Sequence, residues 1–291
     1  MKLSPTDTAF EGFRIIRARP GLVLAWTGFY LLALLAMILI LLLPNLGNLA
    51  AVEATGAQRD FSELLARFGT PILIIFPMAV VMQIMLVTAV YRTVLTPDDK
   101  GFAHLKISAD ELRMFLVSLL VIFIFALASG LYGAAVVIAA NASAGLHGAV
   151  TFVGSLGGVA LLGWLAVRLA LAGVMTFAEH HFRLVEAWRL TKGQFWRLLM
   201  TLGLTILYAI LMVIAALTLG LILARLTGGL SLMGALASPD LTNITPMLAV
   251  RLLAELLLQM ALQALLIVLV FVIFYAPPAA AYRELKAAAA D

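Results

Sequence analysis

The chain predicts an all-α membrane protein of six transmembrane helices with both termini in the cytoplasm. Three observations carry that expectation. Of its 291 residues 64% are apolar and 12% charged, and the mean hydropathy is +1.11, whereas soluble domains carry about 25% charged residues. Stretches without Asp, Glu, Lys or Arg run 20–52, 68–91, 114–167, 198–224 and 256–282, and a helix crossing a hydrocarbon core about 30 Å thick needs about 20 apolar residues. Cations alternate between the predicted loops: fourteen Lys and Arg fall on the side that holds both termini, four on the other, and Arg168 lies inside a span. Cytoplasmic loops carry the Lys and Arg excess, which orients the chain.

The six spans are expected at about 21–43, 71–92, 113–139, 150–176, 199–224 and 248–275, within a single integral membrane domain, residues 1–291. The third charge-free stretch holds two crossings, with the polar run Asn141 to Gly148 as the turn between them. The first apolar run exceeds a signal peptide's core of about 7–15 residues and reads as an uncleaved anchor. Ser108 and Glu111 spell a capping box at the start of the third span. Thr70-Pro71 and Thr245-Pro246 read as caps opening the second and sixth spans. Pro77 is expected to kink the second span, and Pro277-Pro278 to end the sixth.

Two segments have the pattern of surface helices. Phe61, Leu64, Leu65 and Phe68 share a helical face, with Asp60 as cap and Glu63 and Arg67 paired on the wet side, so this piece is expected to float on the outer face. On the inner side Phe182, Val185, Trp188, Phe195, Trp196 and Leu199 form a stripe, with Arg183, Glu186, Arg189 and Arg197 opposite and Lys192 between. Aromatic anchors flanked by snorkelling cations suit an interfacial helix; a cytoplasmic extension of the fifth span is the alternative. The apolar stretch Gly228–Ala237 is expected to dip into the outer leaflet.

Short segments repeat. Phe10-Glu11-Gly12-Phe13-Arg14, Asp110-Glu111-Leu112-Arg113 and Val185-Glu186-Ala187-Trp188-Arg189 precede the odd spans, while Val90-Tyr91-Arg92 and Ala281-Tyr282-Arg283 close even ones. Three tandem helical hairpins of parallel topology would generate this pattern, as would interfacial selection of Tyr and Arg at unrelated span ends. The segment Trp188-Arg189-Leu190-Thr191-Lys192-Gly193-Gln194-Phe195-Trp196, running into an apolar helix, resembles one found in YciC-like bacterial inner-membrane proteins. It is also similar to one in the membrane domain attached to some glycerophosphodiester phosphodiesterases. The resemblance covers about 183–215 and implies an all-helical family of about six spans without an established activity, loosely tied to envelope or lipid physiology. The metal-binding carboxylates and histidines of the phosphodiesterase domain have no counterpart here, so that activity is not implied.

Ionisable groups inside the membrane are candidate functional residues, because each costs about 2.5–3.5 kcal/mol to insert. Arg168 lies roughly 12–15 Å inside the inner end of the fourth span, with Trp164 one turn earlier and able to stack on its guanidinium. Depths counted along the spans place Gln83, Gln263 and Gln259 near the level of Arg168, with Glu255 shallower and closer to Arg251. A polar cluster of Arg168 with these glutamines is therefore expected, either as glue between helices or as a ligand site.

Gly154, Gly157 and Gly158, echoed by Ser129–Gly133 and Gly130–Ala134 on the third span, predict close packing of the third and fourth helices; a dimer seam is the alternative. The adjacent His180 and His181 diverge by about 100° on a helix, which argues against a shared metal. Ser143 and His147 carry no visible oxyanion donor or orienting acid. There is no cysteine and hence no thiolate chemistry or disulfide, and no motif implies a cofactor. A net charge of +4 is too thin for nucleic-acid binding.

These features lead to the expectation of a non-enzymatic protein of a bacterial inner membrane with a lipid-facing, scaffolding or envelope-maintenance role. Its partners would be membrane lipids and either further copies of itself or other membrane proteins. A transporter or channel built on the Arg168 and glutamine cluster is the alternative. An intramembrane lipid enzyme would need Glu255, Glu179 and His180 to converge.

Overall fold

The computed structural model describes residues 4–42, 61–97, 102–106, 108–143, 145–227 and 246–290. Two short helices, α1 (Pro5–Ala9) and α2 (Glu11–Ala18), precede α3 (Pro20–Leu42). Then follow α4 (Phe61–Leu95), a 3-10 turn at Phe102–His104, α5 (Ala109–Ala142) and α6 (His147–Leu169). Helices α7 (Ala172–Glu179), α8 (Leu184–Leu190), α9 (Phe195–Thr227) and α10 (Pro246–Ala290) complete the order. Among the described residues six segments are long and apolar enough to cross a membrane: 20–41, 71–95, 109–142, 147–179, 195–226 and 250–287. The chain is an all-α polytopic membrane protein, and its span count and order are those the hydropathy pattern predicts.

Several helix ends differ from the sequence expectation. Residues 61–70 continue directly into the second span as the first turns of α4, not as a separate floating helix, and Pro71 lies inside that helix. Asp60 and the Gly228–Ala237 stretch lie outside the described residues, as does Thr245, although Pro246 does open α10. Pro277 and Pro278 do not end the sixth span: α10 runs through both to Ala290. A proline within a helix removes a hydrogen bond, but Ala276, Ala279, Ala280, Ala281 and Tyr282 are all buried, so neighbouring helices hold this stretch in place.

The inner-side stripe is divided between two helices. Helix α8 stands alone over Leu184–Leu190, whereas Phe195, Trp196 and Leu199 belong to α9. Gly193 separates them with φ +90°, a backbone conformation that a side chain would strain.

The chain forms two compact units. The first comprises residues 1–12, 87–206 and 275–291; the second comprises 13–86 and 207–274. Within the first, α5 and α6 make an antiparallel pair joined by a tight turn with Gly145 at φ +78°. Their contact is a tyrosine laid on glycines. The Tyr132 hydroxyl donates to the Gly154 carbonyl at 3.0 Å, and a Cβ added at Gly157 would overlap that hydroxyl. Val136 covers Gly154 in the same way. The Ser129, Gly130, Gly133 and Ala134 set of α5 takes no matching part, since all four are exposed. The fourth helix supplies the groove and the third supplies the ridge. The fourth span is also broken, at Ala170–Leu171 between α6 and α7, two residues beyond Arg168.

In the second unit, Phe13 and Tyr208 meet edge to face at 5.7 Å, and Leu262 lies over Gly220. Many large apolar side chains of the span helices point outward, Leu73, Phe76, Ile138 and Val159 among them. Outward oily faces are what a bilayer solvates.

Candidate functional site

The polar groups of the first unit gather where α4, α5, α7 and α10 reach the ends of their spans. The arrangement starts from a helix cap. Ser108 precedes α5, and the Glu111 carboxylate accepts from its backbone N–H at 2.7 Å and from its hydroxyl at 2.6 Å, closing the expected capping box. That holds one carboxylate oxygen. The other accepts from the Arg92 guanidinium at 2.5 Å and from the Thr88 hydroxyl at 3.0 Å.

Arg92 also donates to the His104 carbonyl at 3.0 Å. The left-handed residues Ala103 and His104 shape the turn that carries this carbonyl. The Phe177 ring lies 5.5 Å from the guanidinium carbon. With side-chain exposures of 5% and 10%, Arg92 and Glu111 form a buried, multiply hydrogen-bonded ion pair.

Three further carboxylates are organised around the same end. Glu11 pairs with Arg283 at 3.3 Å, and Arg283 also donates to the Val94 carbonyl in the last turn of α4. A cation at a helix C-terminus satisfies orphan carbonyls and complements the macrodipole. Glu179 accepts from the Tyr282 hydroxyl at 2.9 Å and pairs with Arg183 at 3.1 Å and Lys286 at 3.5 Å. Asp110 pairs with Arg113 at 2.6 Å and meets the His180 Nδ1 at 2.7 Å. A cavity of about 810 Å³ opens among these groups, walled by Arg92, Asp110, His180, Tyr282, Arg283 and Lys286 with apolar side chains between them.

Arg168 occupies a different place in the same unit. Its guanidinium carbon lies 5.7 Å from the Trp164 ring and 5.5 Å from the Trp188 ring, and the two indoles meet edge to face at 5.0 Å. One guanidinium nitrogen is 3.4 Å from the Thr191 hydroxyl, while the buried Nε has no hydrogen-bond partner among the described residues. The stacking on Trp164 is as the sequence predicts. The second indole comes from α8, a segment that the sequence reads as an interfacial anchor.

The glutamines expected beside Arg168 belong to the second unit. Gln83 and Gln263 are exposed there, and Gln259 donates to the Glu255 side chain at 3.5 Å. Helix α8 reaches Arg168 by packing against α6. Glu179 and His180 are consecutive at the end of α7, whereas Glu255 lies in the second unit. Among the described residues no cluster of three or more His, Asp or Glu has the geometry to hold a metal.

The other anchors are distributed around this end. Phe195 and Trp196 meet edge to face at 5.5 Å, Trp196 points outward, and Arg197 donates to Gln194 at 3.0 Å. Arg189 and Lys192 are exposed.

The sequence reading missed Arg92, Asp110, Glu111, Glu179, Tyr282 and Arg283 as one site. The signal was present in the paired closings Tyr91-Arg92 and Tyr282-Arg283 and in the acidic openings at Glu11 and Glu111, which the fold joins. No protein-family model matches the chain, and neither the curated proteins nor the solved structures contain a significant match.

Proposed function

We propose that this is a non-enzymatic protein of a bacterial inner membrane, both termini cytoplasmic, that works at the lipid interface in a scaffolding or envelope-maintenance role. The observation that carries the reading is the belt at the cation-rich end of the first unit. Phe182, Val185 and Trp196 are exposed there beside the exposed cations Arg189 and Lys192. Aromatic and apolar groups with snorkelling cations are how a protein grips the headgroup boundary. The resemblance of 183–215 to YciC-like inner-membrane proteins points the same way.

The reading includes three tandem hairpins. The arginine leaving the second span pairs with the glutamate entering the third, Arg92 with Glu111, and the arginine leaving the sixth pairs with the glutamate entering the first, Arg283 with Glu11. Arg183, after the fourth span, pairs with Glu186 before the fifth at 2.5 Å. Two exits are thus tied through the fold to the next entry, whereas Arg183 and Glu186 are neighbours within one helical turn.

The transporter alternative leans on Arg168 as a hydrated site. Its packing between Trp164 and Trp188 favours a structural role instead. The test is a deletion strain challenged with detergent and osmotic shock, together with proteoliposomes of the purified protein. Envelope fragility restored by the wild-type gene, without saturable solute flux in the vesicles, is the expected result. A normal envelope combined with protein-dependent flux would overturn the proposal.

A further inference from the structure

We propose that the cavity walled by Arg92, Asp110, His180, Tyr282, Arg283 and Lys286 binds the phosphate group of a phosphate ester, taken from a lipid headgroup at the membrane boundary. The inference rests on the lipid-interface reading above and names the chemistry of one site within it. At about 810 Å³ the cavity falls in the range of small-ligand sites, which run about 300–1,000 Å³.

The charges are sorted by position. Arg92, Arg283 and Lys286 face the cavity, while Glu111, Glu11 and Glu179, which pair with them, do not line it. The pairs are therefore dipoles with their positive ends turned inward. Asp110 is the carboxylate on the wall, and it is engaged by Arg113 and by His180.

The donors have capacity left. Lys286 has three N–H bonds and contacts the Tyr282 hydroxyl at 3.0 Å and Glu179 at 3.5 Å, with its side chain 60% exposed. Arg283 has five N–H bonds, two of them directed to the Val94 carbonyl and Glu11. These two cations stand three residues apart on α10, so they share one face of the helix.

His180 adds a donor at a cost. It caps α7 with φ +57°, a left-handed position where glycine is the usual occupant. The backbone there carries a side chain, and its Nδ1 is held by Asp110. That contact takes the Nδ1–H and fixes the ring, so Nε2 donates to a phosphate oxygen in the imidazolium form.

Location selects the source. All six wall residues lie within about five residues of the end of an apolar span, near the level at which phospholipid phosphates sit. Leu95, Phe177 and Ala287 supply the apolar wall that the glycerol ester region needs.

The test uses the full-length protein in phosphatidylcholine nanodiscs with and without phosphatidic acid. Retained lipid is counted by native mass spectrometry, and thermal unfolding is followed with and without inorganic phosphate. The wild type should retain phosphatidic acid over phosphatidylcholine, less so at high salt. Lys286→Ala and His180→Ala should each weaken retention about tenfold, the usual loss for one charge-assisted hydrogen bond, whereas Arg283→Lys keeps the cation and should lose less.

Stabilisation by inorganic phosphate that vanishes in Lys286→Ala, without preference among lipids, supports the phosphate site and assigns it to a soluble ester. Equal retention by wild type and both variants overturns the site while leaving the lipid-interface reading intact. A protein indifferent to every lipid tested and not stabilised by inorganic phosphate overturns both.

Discussion

Removing Glu111 should expose how much of the first unit depends on its buried ion pair. In Glu111→Ala the Arg92 guanidinium, 5% exposed, keeps the His104 carbonyl and the Ser108 hydroxyl but loses its counter-charge. Leaving a buried charge unpaired costs about 3–5 kcal/mol, and the two surviving acceptors place this case near the lower end, at about 3 kcal/mol. The same change removes the acceptor of the Ser108 N–H, the carboxylate half of the capping box, worth about 1 kcal/mol. Glu111→Gln retains an acceptor and should lose about 1.5–2 kcal/mol. In Arg92→Met/Glu111→Met no charge is stranded, so the double variant should be less damaged than the sum of the singles by about 2 kcal/mol. The assay is equilibrium unfolding of the full chain in mixed micelles under rising denaturing detergent. A loss below about 1 kcal/mol for Glu111→Ala, with additive singles, would mean that water reaches the pair and that the burial argument is wrong.

Three other perturbations test separate parts of the structure. Arg168→Leu and Trp188→Ala should couple by about 1 kcal/mol in a double-mutant cycle, read by the same unfolding assay; strict additivity would remove the stacked arrangement. Gly157→Ala should destabilise by about 1–3 kcal/mol because its methyl meets the Tyr132 hydroxyl, and should do so less in a Tyr132→Phe background, where the obstructing oxygen is gone; an equal cost in both backgrounds would contradict the ridge-and-groove contact. The chain has no cysteine, so Thr6→Cys, Ala287→Cys and Asn141→Cys are clean labelling sites for an impermeant thiol reagent in intact cells and after lysis. The first two should be labelled only after lysis and the third in intact cells; opposite behaviour of Thr6→Cys and Ala287→Cys would rule out termini on one side.

The prolines and the arginine show where local reasoning stops. Thr70-Pro71 and Pro277-Pro278 read as helix boundaries because a proline lacks the N–H that propagates a helix in isolation. In α10 the flanking residues are buried on all sides, and packing outweighs the missing bond. Ser108 and Glu111 were legible as a cap because every partner lies within three residues. Arg168 was legible as a misplaced charge, but its second indole lies twenty residues along the chain in a helix that folds back, and depth along a span does not reveal that return.

By itself the sequence determined what the solvent imposes: six spans, all helical, with cations biased to one side. Those properties follow from the length of apolar runs against bilayer thickness and from backbone groups that must be satisfied within each segment. Tertiary structure alone decided which charges meet. Arg92 with Glu111 joins residues 19 apart and Arg283 with Glu11 residues 272 apart. Only the convergence of helix ends brings such groups within the few ångströms at which an ion pair exists. The cavity between them is a property of that convergence, and no run of residues spells it.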